Sequence, residues 1–278
     1  MPLDYKISAS VVLYNGFAQA KSCILSILDF SRDLRLQLYL IDNASPDGSG
    51  LQLEKTFASR ATVIRCTENL GFGQGHNICL PMLESKYHAV INPDITLEED
   101  TLSVLCRYLD EHPDVAMVTP QLRFPDGTQQ NVAKRVPTLL ALLSRQFDWK
   151  WLRPYENYYL MLDRDLSQPQ EIQFCTGCFF VIRTEVLRAV GGFDKDYFMF
   201  VEDADITRRV MQHGRVVYLP DTHVIHAWNR EAKRSRKAFF MQLRSMFVYF
   251  RKWGYSIGPR KRAERFEPSQ PADPDAEK

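Results

Sequence analysis

The acidic residues Asp42, Asp94, Glu202 and Asp203 and the histidine His226 have types and settings that could do chemistry. Asp42 follows an apolar run, 38–41, and opens a turn of small polar residues, Asn43-Ala44-Ser45-Pro46-Asp47-Gly48. A carboxylate there can accept a hydrogen bond from a ligand N–H, or satisfy the amides of its own turn. Asn92-Pro93-Asp94 follows Ala89-Val90-Ile91. Asp94 could ligate a hard cation, since Mg²⁺ is commonly held by only one or two carboxylates plus phosphates and water. The same tripeptide is an ordinary turn. Glu202-Asp203-Ala204-Asp205 opens a helical segment, where acids stabilise the helix dipole; a carboxylate there could also take a proton from a hydroxyl. His223 and His226 lie three apart at the end of a β-rich run, which puts them on opposite faces of a strand and argues against a shared metal. Alone, each reads as a hydrogen-bonded structural histidine.

These residues need a scaffold, and the first half of the chain supplies a regular one. Short apolar runs at 7–14, 38–41, 62–64, 87–91 and 115–118 alternate with helical patterns at 18–30, from the glycine loop to about 82, and from the capping box Thr96-Leu97-Glu98-Glu99 to about 111. Strand, helix, strand at this spacing predicts an α/β fold with a mostly parallel central sheet covered by helices on both faces. In such sheets ligands bind beyond the carboxyl ends of the strands. Asn15, Asp42 and Asp94 all fall there. Residues 137–170 are less regular, and order returns with a strand at 179–182, a helix to about 190, a helix at 205–213 and a strand at 216–219.

Gly71-Phe72-Gly73-Gln74-Gly75 comes close to a dinucleotide-binding fingerprint. Its third glycine is one residue early, and it stands in the third strand–helix unit instead of the first, which argues against a nicotinamide site. What remains is backbone that could approach a ligand, beside a helix N-terminus that favours anions. Cys175-Thr176-Gly177-Cys178 has no second Cys-x-x-Cys to complete a zinc site.

A 45% hydrophobic, 25% charged composition is that of an ordinary globular protein. No apolar run reaches the ~18 residues of a bilayer span, and the start lacks a secretory pattern. Six scattered cysteines fit reduced thiols in a cytoplasmic protein. The net charge of +1 hides twelve Lys/Arg against Glu231 and Glu264 over residues 230–265. That excess suits a phospholipid surface, a diphosphate-linked molecule or nucleic acid. Within it, Phe239, Phe240, Leu243, Met246, Phe247, Phe250 and Trp253 form a helical stripe, which either lies on a membrane or packs on its own domain or a partner subunit. Three regions are therefore expected: a catalytic domain over 1–229, a basic amphipathic helical extension over 230–266, and a polar, proline-containing, disordered tail over 267–278.

The motifs taken together resemble a known family. Ser10-Val11-Val12-Leu13-Tyr14-Asn15, Ile41-Asp42-Asn43-Ala44-Ser45-Pro46-Asp47-Gly48-Ser49, Asn69-Leu70-Gly71-Phe72-Gly73 with Asn77, and Asn92-Pro93-Asp94 are similar to successive blocks of the inverting family-2 glycosyltransferases. Gly191-Gly192-Phe193-Asp194, Phe198-Met199-Phe200-Val201-Glu202-Asp203-Ala204-Asp205 and Tyr218-x-Pro220 with His223 and His226 resemble the second half of the rhamnosyltransferases among them. The resemblance spans about residues 8–253.

It implies a GT-A fold, a nucleotide-sugar donor (dTDP-rhamnose, with a UDP-hexose as the alternative) and a divalent metal, Mg²⁺ or Mn²⁺. The acceptor it implies is a glycan or a lipid-linked glycan precursor, and no nucleic-acid partner. The enzyme would be cytoplasmic, in possible peripheral contact with the inner face of the membrane, and a homodimer is left open. The donor set it implies is Tyr14, Asn15, Asp42, Ser45, Gly71, Gly73, Asn77, Asn92 and Asp94, with Asp42 accepting the N3–H of uracil or thymine. The metal would be held by Asp94, in place of the usual Asp-x-Asp, and by His226. Thr176, Gly177 and Glu202 would meet the acceptor, and Asp203 would be the base, with Glu202 as the fallback. A sugar-nucleotide pyrophosphorylase would need a basic, glycine-rich loop after the first strand, and none follows Val12. Retention of Asp42, Asp94, Asp203 and His226 together argues against a non-catalytic sugar-binding protein.

Overall fold

A computed structural model describes residues 5–147, 149–227 and 236–258. It contains a nine-stranded sheet in the order β3-β2-β1-β4-β8-β6-β9-β5, with β7 pairing on β9. The strands are β1 (Tyr5–Leu13), β2 (Leu36–Asp42), β3 (Thr62–Arg65), β4 (Ser85–Ile91), β5 (Ile95–Thr96), β6 (Val115–Arg123), β7 (Gln170–Glu171), β8 (Phe179–Arg183) and β9 (Arg215–His226). The first four are mutually parallel and build an open α/β unit. Their helices are α1 (Phe17–Phe30), α2 (Ser49–Phe57) and the short α3 (Phe72–Asn77). β8 then runs antiparallel to both β4 and β6, so that β6 and its parallel partner β9 keep the direction of the first four. Six strands thus point one way, with β8 inserted against them.

The central strands are buried on both faces, as parallel strands between helix layers must be. Ile7, Ala9 and Val11 of β1, Ala89 to Ile91 of β4 and Phe179 to Ile182 of β8 are all fully enclosed. The remaining helices are α4 (Thr101–Glu111), α5 (Leu139–Phe147), α6 (Arg153–Tyr159), α7 (Thr184–Ala189), α8 (Glu202–Val210) and α9 (Arg236–Trp253).

Two expected element starts are corrected. The helix placed at the Thr96 capping box begins at Thr101, with Asp100 as its cap accepting from the Ser103 amide. Ile95 and Thr96 are drawn instead into strand pairing with His226 and Ile225. Glu99, released from capping, accepts from the His223 amide and from the Thr222 hydroxyl. The helix after the glycine loop ends at Asn77, and a separate 3₁₀ turn covers Leu80–Met82, with Pro81 in it.

The irregular stretch 137–170 contributes α5 and α6, which join α9 around a second apolar cluster of Ala141, Tyr159, Phe174, Tyr197, Ala204, Tyr249 and Phe250. This cluster sits against α8 through Ala204. The stripe on α9 divides: Phe250 is buried and Met246 and Trp253 pack against the cluster, while Phe239, Phe240, Leu243 and Phe247 stay exposed. The expected boundary at 229/230, the cluster Arg260-Lys261-Arg262 and the tail 267–278 lie outside the described residues.

Under the sheet lies a buried polar chain. The Ser8 hydroxyl meets His88 Nδ1 at 2.7 Å, the Ser10 hydroxyl meets His88 Nε2 at 2.9 Å, and Ser10 also meets His76 Nδ1 at 2.7 Å. Burial holds both imidazoles far below their ordinary value of 6.5, at about 3. The folded state keeps the rings neutral, whereas the unfolded chain protonates them below about pH 6.5. The stability they contribute is therefore complete above that value and is lost as pH falls toward 3. Moving from pH 7 to pH 5 costs about 2 kcal/mol for each ring. In urea unfolding, His88→Asn should flatten the difference between these two pH values by about that amount relative to the parent. Parallel behaviour of parent and variant would mean that His88 is not held neutral in the fold.

Candidate active site

One turn ties the two halves of the site together. Residues 175–178 precede β8, and the Cys178 carbonyl accepts from the Asn92 amide at 2.8 Å, closing the end of β4 onto the start of β8. One residue earlier, the Gly177 amide donates to Asp203 Oδ2 at 3.1 Å. The Asn92-Pro93-Asp94 loop and the start of α8 are thereby set on either side of the same short peptide. A Cβ on Gly177 would stand 3.1 Å from that of Asp203 and 3.2 Å from the Phe72 ring, so a larger residue would press Asp203 away from the turn.

Asp94 and His226 are brought together from different ends of the sequence, with Oδ2 3.4 Å from Nε2. The imidazole is oriented from behind by Gln130. Its Nδ1 lies 2.9 Å from Gln130 Oε1, an atom that only accepts, so Nδ1 donates there and Nε2 is the nitrogen turned to Asp94. Gln130 Nε2 donates back to the His226 carbonyl at 2.8 Å. Asp94 Oδ1 and Asn92 Oδ1 are buried without a hydrogen-bond partner. A carboxylate and a ring nitrogen facing one another, with an orphaned carboxylate oxygen beside them, are a donor set that a divalent cation fits. His223, on the opposite face of β9, pairs with Glu99 at 2.9 Å and takes no part.

Glu202 and Asp203 occupy the first turn of α8. The helix is started by Val201 at φ 67°, preceded by Phe200 at φ 71°, a left-handed pair that β-branched and aromatic residues rarely adopt. This strained link is fixed at both neighbours: the Phe198 carbonyl accepts from the Phe72 amide at 3.0 Å, and the Met199 carbonyl accepts from the Ser245 hydroxyl of α9 at 2.8 Å. Burial, and then the charge of Asp203, push the Glu202 carboxyl up to about 8. Burial also raises Asp203, but Lys134 and the amides of Gly177 and Ala204 oppose the rise. Of the two acids, Glu202 is thus pushed toward its protonated form, while the groups that favour a charged form gather on Asp203. Glu202 Oε2 is buried without a partner. Asp205, read from the sequence as a helix-opening acid, is instead fully buried, paired to Arg209 at 2.8 Å and to Trp253 Nε1 at 2.8 Å.

On the other side of β1, Asp42 is buried and its Oδ1 accepts from the Ser45 amide at 3.1 Å. A Cβ at Gly50 would lie 1.9 Å from Asp42 Oδ2, so only glycine fits beside that oxygen. Ser45 accepts from the Asn15 amide at 2.8 Å and braces the loop after β1, from which Tyr14 projects half-exposed. The glycine loop differs from expectation. Gly71 has φ 83°, and a Cβ there would stand 2.1 Å from the Phe198 carbonyl; one at Gly73 would meet Phe193 at 2.6 Å. These glycines make room for neighbouring chain. The Gly71 and Phe72 amides are already bonded, to Asn69 and Phe198, so they are not available to an anion. Asn77 likewise engages Phe193 with both ends of its amide, at 2.7 and 2.8 Å. It serves the fold.

Three residues at this site gave no signal of their own in the sequence. Gln130 and Lys134 lie in an irregular segment whose partners are distant in sequence. Asn43, seen only as part of the Asp42 turn, pins the glycine loop by accepting from Leu70 and donating to Asn69 and Gly71.

Comparison with known proteins agrees with this geometry. The family model described as Glycosyl transferase family 2 matches residues 8–191. An N-acetylglucosaminyl-diphospho-decaprenol L-rhamnosyltransferase of Mycobacterium tuberculosis is 25% identical over 218 residues, covering 73% of this chain and 70% of its own. Rhamnosyltransferase WbbL of Escherichia coli K12 is 27% identical over 191 residues, 64% of this chain and 69% of its own. Among solved structures, GalNAc-T7 with UDP, GalNAc and Mn²⁺ superposes with a TM-score of 0.63 at 15% identity over 89% of this chain, which spans only 48% of that one. Mannosyltransferase PcManGT from Pyrobaculum calidifontis, in complex with GDP-Man and Mn²⁺, superposes with a TM-score of 0.62 at 18% identity, covering 90% of this chain and 64% of its own. The shared fold is GT-A.

The proton on Glu202 makes a prediction of its own. Stability linked to it is complete below the ordinary value of 4.5 and is lost as pH rises through about 8. Between pH 6 and pH 9, Glu202→Gln should lose about 3 kcal/mol less stability than the parent in urea unfolding. Equal losses would place an ionised Glu202 in the folded protein at neutral pH.

Proposed function

The chain belongs to glycosyl transferase family 2, and from that premise we propose that it is an inverting rhamnosyltransferase, moving L-rhamnose from dTDP-rhamnose to a hydroxyl of a lipid-linked glycan precursor. The observation that carries this reading is the turn at 176–178, which joins a cation-ready pair, Asp94 and His226, to the carboxylate of Asp203. The donor sugar and the acceptor class are supported by the names of the two rhamnosyltransferase relatives.

In this reading Asp42 accepts the N3–H of the donor's base. Asp94 and His226 hold a divalent metal, with Gln130 fixing the imidazole tautomer. When bound, that cation supplies positive charge against the leaving diphosphate. Asp203 takes the proton of the acceptor hydroxyl while its oxygen bonds to the anomeric carbon. The bond from that carbon to the diphosphate oxygen breaks in the same displacement, and the electron pair leaves with the phosphate. Because attack and departure lie on opposite sides of the carbon, the configuration inverts. Glu202, protonated, is left able to donate to the acceptor.

No helix among the described residues is long and apolar enough to cross a membrane. A lipid-linked acceptor would instead be met at a surface. Phe240, Leu243 and Phe247 are exposed along one side of α9, with Arg244 and Arg251 also exposed on the helix, an amphipathic pattern suited to an anionic interface. The protein should therefore sediment with phosphatidylglycerol-containing vesicles, and Phe240→Ser with Phe247→Ser should release it. Equal sedimentation of parent and variant would remove α9 from the contact.

The chemistry is tested by release of dTDP from dTDP-rhamnose in the presence of N-acetylglucosaminyl-diphospho-decaprenol. Asp203→Asn should lower transfer about 10²–10⁴-fold with donor affinity retained. Asp94→Asn should weaken both turnover and the Mn²⁺-dependent stabilisation by dTDP. Near-parental transfer by Asp203→Asn would pass the base role to Glu202, and turnover of UDP-sugars alone would remove rhamnose.

A further inference from the structure

Lys134 is a buried lysine to which nothing above assigns a task. It lies on the irregular segment after β6, joined to the strand-like approach to the 175–178 turn: its carbonyl accepts from the Gln173 amide at 2.9 Å and the Phe174 amide at 3.0 Å. Its ammonium group donates to the Thr176 hydroxyl at 2.8 Å and stands 4.7 Å from the centre of the Phe174 ring. Thr176 is the neighbour of Gly177, whose amide is bonded to Asp203. A buried ammonium group is costly without a negative charge to answer it. The charge of Lys134 acts on Asp203 across the turn.

We propose that Lys134 is a positioning residue for the base: through Thr176 it holds the Thr176–Gly177 turn against Asp203 and sets its ammonium charge behind that turn, on the side of that carboxylate. The inference rests on the reading of Asp203 as the base.

The surroundings of Asp203 support this role. From its own helix it faces Glu202, which shares its burial. From the turn it faces the Cys175 and Cys178 thiols, and from α9 the Tyr249 phenol, all held neutral because burial pushes their proton affinities up. Lys134 is the cation acting on it, seconded by the Gly177 and Ala204 amides. Without that charge, two buried acids one residue apart would compete for one proton with little to choose between them. A base that keeps its proton cannot accept another, so transfer would then depend on higher pH.

The test is the pH profile of transfer, with dTDP-rhamnose as donor and N-acetylglucosaminyl-diphospho-decaprenol, or water where that acceptor does not turn over. In Lys134→Met the acidic limb should move up by about one pH unit, so that transfer at pH 6 falls about tenfold and recovers toward pH 8.5. Lys134→Arg, which keeps the charge, should retain the parental profile. Donor affinity should be unchanged in both. Lys134→Gln replaces the Met variant if the latter does not fold. An acidic limb that stays in place in the neutral variant, whether the rate is parental or uniformly reduced, overturns the proposal. Asp203→Asn separates the two levels. Normal transfer by that variant removes the base itself, whereas lost transfer with an unmoved limb in Lys134→Met removes only the role of the lysine.

Discussion

The bond from the Asn92 amide to the Cys178 carbonyl joins two strands that run in opposite directions, β4 ending where β8 begins. In a wholly parallel sheet the ends of adjacent strands carry loops that diverge toward their own helices. Reversing β8 turns one of those loops into an incoming peptide, which lies directly across the end of β4. Asp94 and the Glu202–Asp203 pair are arranged on the two flanks of that peptide. Asp94 follows Asn92 on one flank, and Asp203 is bonded to Gly177 on the other. The reversal is therefore the constraint that converts an open α/β sheet into a cleft with two separately supported negative groups.

Separate support matters because carboxylates of like charge in a low-dielectric cleft raise one another's proton affinity. The structure answers each one differently. Asp94 meets an imidazole nitrogen and leaves an oxygen orphaned, an arrangement that invites a cation. Asp203 is answered by backbone amides and a lysine, and Glu202 by retention of its proton. Asp205, one turn along the same helix, is fully buried and is satisfied by Arg209 and by Lys252 and Trp253 of α9.

The strand ends were readable from the sequence because two periodicities converge on them. A buried run followed by a small polar turn marks both Asp42 and Asp94 without ambiguity of position, and the acidic start of α8 is a sharp local signal. The parallel first half was legible for the same reason. Gln130, Lys134 and Asn43 were not, because an isolated polar residue in an irregular segment acquires meaning only from partners far away in the chain. The capping box at Thr96 failed because strand pairing with β9 outcompeted a local helix start. The glycines of the 71–75 loop were read as room for a ligand, but they are room for Phe193 and Phe198. A missing side chain does not say which neighbour will occupy the space.

Two of the three partners of the buried Asp205 come from α9, and Ser245 of that helix also holds the strained link that starts α8. During synthesis the ribosome releases β1 to β4 first and α9 after nearly all of the described chain. Until that helix emerges, the buried Asp205 has only Arg209 of its own helix to pair with, and the left-handed residues before α8 lack the Ser245 bond. The nascent protein thus has its parallel strands available well before α8 can settle.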